Sequence, residues 1–321
     1  MKKSICRRQC IHTVDGLTGF PLFPDLPVCY PRVMEPVYLQ QAYTDAGRGG
    51  NAAGVVVRAD GMSDATMQAV AHEVGVSETA FITGLAEGNL TIRYFTPVAE
   101  VDLCGHATVA AWTVMAHLGL VSPGRHRQGL KEGKITVTLD DTGAVWMEQM
   151  APTFGETLDP AQVAPILGLS TDELTTTGMP LQPVSTGLMD IMVPLASRKT
   201  LEAVTPDFHA MAAFNNATDT VGFHLFCLAP RNPAHTACCR NFAPRYGIDE
   251  ESATGSASGA LAAYLHRHGT RRERYIFEQG HAMGSPSRID VLLEETEPTR
   301  VIVGGYGGTP EERPIPPSPH R

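Results

Sequence analysis

The chain has 321 residues, 43% of them hydrophobic and 18% charged, which suits a globular protein of two domains of about 150 residues each. Lys+Arg number 25 against Asp+Glu 34, a formal net charge of −9, and no basic stripe with interleaved aromatics stands out, so a nucleic-acid partner is not expected. The 7 cysteines are odd in number and irregularly spaced, which fits reduced thiols in the cytoplasm better than a disulfide framework. No apolar run reaches the length of a signal h-region or a spanning helix, so no membrane partner is expected either.

Residues 1–36 show no period and are broken by Pro21, Pro24, Pro27, Pro31 and Pro36, so they read as an irregular N-terminal extension. Met34 stands just before the ordered pattern and is a candidate start of the translated chain. From Val37, VYLQQAY (37–43), GVVV (54–57), TAFIT (79–83) and LTIRYF (90–95) have the composition of strands. Between them Ser63 suits an N-cap, Met67, Val70, Ala71 and Val74 share one helical face, and Gly75 can end the helix in the left-handed region. The segment 107–120 is apolar nearly all round, as a helix enclosed by sheet would be. KITVTL and AVWMEQM then predict a hairpin around Asp140, Asp141, Thr142 and Gly143, and the final GTPEERPIPPSPHR predicts a solvated tail over 306–321.

The second half repeats the first. Arg93, Phe95 and Pro97 recur as Arg240, Phe242 and Pro244, an offset of 147 (240 − 93). Gly105, Ala107, Ala110 and Gly119 then recur as Gly255, Ala257, Ala260 and Gly269, an offset of 150 (255 − 105). A period this long implies two pseudo-symmetric halves, 37–152 and 153–305, instead of a solenoid. Each half puts a glycine at the start of an apolar helix. Two such N-termini facing each other would form a receptacle for an anion, most simply a substrate carboxylate, whereas either alone would be an ordinary strand-to-helix turn.

The segments GGNAAGVVV, GVSETAFIT, IRYFTPVAEVDLCGHATVAAW, RNFAPRYGIDEESATGSASGALAAY and QGHAMGSPSRIDV together resemble the PhzF-like (phenazine biosynthesis) family, related in fold to diaminopimelate epimerase and proline racemase. The resemblance implies an α+β fold of two domains, each a β-sheet barrel around a central helix, with the site in the cleft between them. It implies a cofactor-independent isomerase, with no metal, acting on a small carboxylate-bearing substrate, and it allows a homodimer. On the matching motifs, Glu78 is implied as the general acid/base, and Gly105, His106, Glu251, Gly255 and Ser256 as substrate-binding residues. The run Glu250-Glu251-Ser252-Ala253 departs from the family's E-D-P-V: glutamate is one methylene longer than aspartate, and loss of the proline is expected to free the turn.

The apolar neighbours Val76, Ala80 and Phe81 point to a desolvated Glu78 whose pKa is raised from about 4.3 toward 7, as a proton carrier needs, although an exposed strand-start glutamate would have the same local sequence. His106, at a helix start, is expected to be neutral and either to orient the substrate or to cap its helix. Cys104 at the same start could be a thiolate. That leaves a cysteine-dependent epimerase as an alternative, but the equivalent position of the second copy carries Thr254, so a two-thiol pair is incomplete and Cys104 reads as a packed residue. A non-catalytic binding protein retaining the cleft is a third reading. His235 with the adjacent Cys238 and Cys239 resembles a metal cluster only superficially, since neighbours in a strand point to opposite faces.

Overall fold

The computed structural model describes residues 36–86 and 89–314. The extension up to Met34 and beyond, except Pro36, lies outside the described residues. Ser63 Oγ accepts the Thr66 N–H at 3.2 Å, and the helix Asp64–Val74 ends at Gly75, φ 71°, with Met67, Val70 and Ala71 buried. The predicted hairpin joins Lys134–Leu139 to Val145–Glu148, its turn tied by Asp140 Oδ1, which accepts the N–H groups of Thr142 and Ala144.

Both halves thread their strands in one order. In the first, Val37–Ala42 pairs antiparallel with Asn51–Val56, and the outer helix Asp64–Val74 crosses to the parallel strand Thr79–Ala86. That strand forms a hairpin with Asn89–Phe95, and the central helix Gly105–His117 then crosses to the parallel strand Gly124–Gly129, followed by the two hairpin strands named above. In the second half, Gln182–Ser185 pairs with Met189–Pro194, and Arg198–Ala203 and Phe208–Thr218 cross to the parallel strand Gly222–Cys227. Antiparallel pairing with Ala237–Ala243 follows, then the central helix Gly255–His268, the parallel strand Arg274–Gln279, and the antiparallel strands Ser287–Glu294 and Arg300–Gly305.

The central helices are enclosed because no face of either is polar. His106 through Trp112 are buried without interruption, as are Ala257 through Leu265, a pattern that only a surrounding sheet produces. The halves share hydrogen bonds: Ile302–Gly305 pairs with Val145–Glu148. The tail corrects one expectation. Residues 306–314 are solvated in part but not free, because the exposed Glu311–Arg313 pairs antiparallel with Val37–Leu39 and the Tyr306 carbonyl accepts the Thr44 N–H. Among the described residues no helix is long and apolar enough to cross a membrane.

The repeated R-x-F motif has one physical form in both halves. The Arg93 guanidinium lies 5.2 Å from the Phe95 ring centroid and its Nε donates to Glu100 at 2.7 Å. Arg240 lies 4.8 Å from the Phe242 ring and its Nε donates to Glu250 at 2.9 Å. The two glutamates are again 150 apart (250 − 100). Their surroundings differ: Arg240 also donates to the carbonyls of the buried Leu201 and Val204, whereas Arg93 also donates to the exposed Asp64 at 2.7 Å and Glu100 keeps a second cation, Lys131, at 3.3 Å. Arg240→Ala is therefore expected to lower urea-denaturation stability by about 3 kcal/mol, and Arg93→Ala by about 1 kcal/mol. Equal losses would show that the buried carbonyl contacts of Arg240 are worth no more than the exposed Asp64 contact of Arg93.

Candidate active site

The start of the first central helix is fixed from beneath by a buried polar chain. Trp112 Nε1 donates to Gln128 Oε1 at 2.7 Å, and Gln128 Nε2 donates to Tyr94 Oη at 2.7 Å. Tyr94 Oη and Thr108 Oγ1 are 2.6 Å apart, and Thr108 Oγ1 donates to the Cys104 carbonyl at 2.8 Å. Gln128 already donates to Tyr94, so the phenol hydrogen is free for Thr108 and the chain runs in one direction. Cys104 is the N-cap, and its side chain makes no capping bond. The thiol and the next residues are thus left for the cleft.

His106 is the hub, with 4% of its side chain exposed. Glu78 Oε2 lies 3.2 Å from its Nε2, an ion-pair contact that is not aligned as a hydrogen bond, and Glu251 Oε1 lies 3.6 Å from its Nδ1. Ser77 Oγ is 3.2 Å from Nε2, and Cys104 Sγ is 3.3 Å from Nδ1. The two carboxylates come from opposite halves and meet one imidazole. Glu78 is placed because it precedes the strand Thr79–Ala86, where its carbonyl accepts the Gly54 N–H at 3.0 Å.

Glu251 ends the strand Ile248–Glu251 and is clamped. Asn51 Nδ2 donates to its Oε1 at 2.9 Å, Thr254 Oγ1 donates to its Oε2 at 2.5 Å, and Gln279 Nε2 donates to its carbonyl at 2.7 Å. Gly105 and Gly255 open the two central helices, and Ser256 follows in the first turn of the second, where Thr186 Oγ1 donates to its carbonyl at 3.1 Å. The expected freeing of the turn is not observed: Ser252 Oγ donates to the Gly50 carbonyl at 2.9 Å and ties the turn to the other half.

Electrostatics run against two expectations. Burial raises the Glu78 pKa, but His106 beside it, with Ser77 and Cys104, outweighs that and holds the carboxyl below its ordinary value. The local apolar neighbours could not reveal a partner 28 residues on (106 − 78). His106 is pushed toward its charged form: burial opposes the charge, yet Cys104 and the Glu78 carboxylate beside it raise its pKa well above the ordinary value. Burial raises the Cys104 thiol above its ordinary value although His106 beside it pulls the other way, which agrees with a packed residue. Glu251 is the carboxyl that burial raises.

Glu78, Cys104 and His106 each offer a ligand atom within 4.8 Å of the others, a set that could hold a divalent cation only once the thiol and the imidazolium had given up their protons. His235 is engaged elsewhere, with its Nδ1 2.8 Å from Glu278 Oε1. The sequence reading did not single out Asn51, Ser77, Thr254 or Gln279 as site contacts. Asn51 and Gln279 reach Glu251 across the fold, and nothing in their own spacing signals it.

A raised folded-state pKa means that His106 contributes stability fully below its ordinary value of 6.5 and loses it as pH rises through the folded value. Glu78 acts oppositely: its contribution is full above 4.5 and is lost as pH falls through its lowered value. Denaturant titrations should therefore show the advantage of wild type over His106→Asn shrinking as pH is raised from 6.5. In Glu78→Gln the NMR titration midpoint of His106 should fall. An unmoved midpoint would show that the 3.2 Å contact does not hold the proton.

Residues 40–313 match the model of the family described as phenazine biosynthesis-like protein. An uncharacterized isomerase, YddE, of Escherichia coli K12 is 36% identical over 85% of this chain and 95% of its own length. The trans-2,3-dihydro-3-hydroxyanthranilate isomerase of Pseudomonas chlororaphis is 31% identical over 84% and 94%. The crystal structure of a Bacillus anthracis phenazine biosynthesis protein of the PhzF family superposes with a TM-score of 0.79 at 26% identity, over 87% of this chain and 98% of that one. A probable proline racemase from Agrobacterium radiobacter, 12% identical with a TM-score of 0.58, shares the fold. By sequence and by architecture, this chain belongs to the PhzF-like family of isomerases.

Proposed function

We propose that the protein isomerises a small carboxylate-bearing metabolite by moving a proton between two carbons through Glu78, without an organic cofactor. The observation that carries this reading is the Glu78–His106–Glu251 contact at the start of the central helices, where neighbouring titratable groups are pushed in opposite directions. The separation gives the two carboxyls different tasks, Glu78 carrying the proton and Glu251 positioning the substrate.

Glu78, held ionised, accepts the proton from a C–H bond activated by the neighbouring unsaturation or carboxylate, and the electron pair stays in the substrate. The same carboxyl then returns the proton to a different carbon. Nothing is oxidised or reduced, and no atom is gained or lost. The imidazolium of His106 stabilises negative charge beside the reacting carbon, and Glu251 and Ser256 position the substrate. The N–H groups that open both central helices receive its carboxylate.

A cysteine-dependent epimerisation is disfavoured by the raised thiol of Cys104 and by Thr254 at the symmetric N-cap. The discriminating experiment incubates wild type, Glu78→Gln and Cys104→Ala with a panel of amino and hydroxy carboxylates in heavy water and follows deuterium incorporation by NMR. Wild type and Cys104→Ala should exchange, and Glu78→Gln should lose about 10²–10⁴-fold in rate. Exchange that survives in Glu78→Gln and disappears in Cys104→Ala would transfer the role to the thiol. No exchange by any form, with ligand-dependent stabilisation retained, would make the protein a binding protein.

A further inference from the structure

Tyr43 follows the strand Val37–Ala42 and is completely buried, in the left-handed region at φ 60°, which bulky residues rarely occupy. Its position is over-determined. Its carbonyl accepts the Arg288 N–H at 2.9 Å, and its ring covers Gly305 so closely that a Cβ there would come within 2.6 Å of Cδ1. The hydroxyl is aimed at the meeting point of the central helices: a Cβ would lie 2.6 Å from it at Gly255 and 3.9 Å at Gly105. Only glycine permits the first approach.

That hydroxyl hydrogen-bonds to no described residue. An unpaired buried hydroxyl is destabilising, and phenylalanine would fill the same space without one. Burial, with Cys104 and Glu251 nearby, pushes the phenol pKa far up, so the group keeps its hydrogen and can only gain by donating it.

We propose that Tyr43 Oη donates a hydrogen bond to the substrate carboxylate seated between the two central helix N-termini, so that Tyr43 is a substrate-binding residue selecting a carboxylate over a neutral group. This rests on the carboxylate reading of the site given above. The backbone N–H groups supply donors from two sides, and the phenol supplies one from the floor, held by its strained backbone so that little order has to be gained on binding.

Benzoate and its neutral isostere benzamide serve as probes, measured by calorimetry on the full chain of wild type, Tyr43→Phe and Glu78→Gln. Tyr43→Phe should weaken benzoate binding about 10-fold or more, the loss expected for one hydrogen bond to a charged group, and leave benzamide nearly unchanged. Without ligand, Tyr43→Phe should be at least as stable as wild type, since it removes an unpaired hydroxyl; a hydroxyl with a purely structural role would make it less stable. Equal benzoate affinity in wild type and Tyr43→Phe, equal weakening of both probes, or no measurable benzoate binding by wild type would each overturn the proposal. Glu78→Gln separates this from the proton-transfer reading: benzoate binding retained with exchange lost supports both, and exchange retained in Glu78→Gln defeats only the role of Glu78.

Discussion

The site depends on one buried imidazole held between carboxylates from opposite halves of the chain. An imidazolium out of contact with water is costly unless an opposite charge is close, and a buried carboxylate is costly for the same reason. Each therefore makes the other tolerable. Two acids compete for one cation, and the competition is unequal: Glu78 approaches to 3.2 Å and Glu251 to 3.6 Å. Glu251 receives hydrogen bonds from Asn51 and Thr254, yet burial still dominates and its carboxyl is raised. The difference between the two acids arises from position.

Duplication supplies that position. Corresponding residues of a pseudo-symmetric pair are brought to one place, so the turn before each central helix presents its residues to the same cleft. Positions at an offset of 150 have then diverged: Val101 against Glu251, Cys104 against Thr254, His106 against Ser256. The structural module did not diverge, since both Arg–Phe–Glu sets survive intact. Arg93 and Arg240 each tie a strand to the short strand leading to a central helix, so losing either would disturb the helix start itself. The changed positions flank the two helix starts, and Val101 packs against the core where Glu251 reaches toward His106.

Much of the fold was legible because its elements are marked locally: Ser63 and Gly75 bound the outer helix, and the residues around Trp112 are apolar in every direction. The strand Glu311–Arg313 was not legible. It has three exposed residues and no alternation, and it pairs with a strand more than 270 residues earlier (311 − 39). The family motifs single out Glu78, Gly105, His106, Glu251, Gly255 and Ser256, of which the structure brings Glu78, His106 and Glu251 into contact, but they carry no signal of ionisation. Val76, Ala80 and Phe81 describe the desolvation of Glu78 correctly and say nothing of the imidazole that reverses its sign. A pKa is set by spatial neighbours, and in a sheet-rich fold those are distant in sequence.

The turn Glu250–Thr254 shows how a departure from a family pattern can be absorbed. A proline at position 252 would fix the backbone by its ring; Ser252 fixes it by an external bond, its hydroxyl meeting the Gly50 carbonyl, which also accepts from Ser285. The side chain of Ser252 is buried, so water competes little for that bond. The longer Glu251 is in turn anchored at both carboxylate oxygens and at its carbonyl. An extra methylene adds rotamer freedom to an acid. The two hydrogen bonds to its carboxylate remove it again, while Gln279 holds the backbone, and Asn51 and Gln279 come from strands outside the turn. A substitution of Glu251 by aspartate would shorten the reach toward His106 while leaving Asn51 and Thr254 to pull on a shorter lever, so the turn and the imidazole contact cannot be adjusted independently.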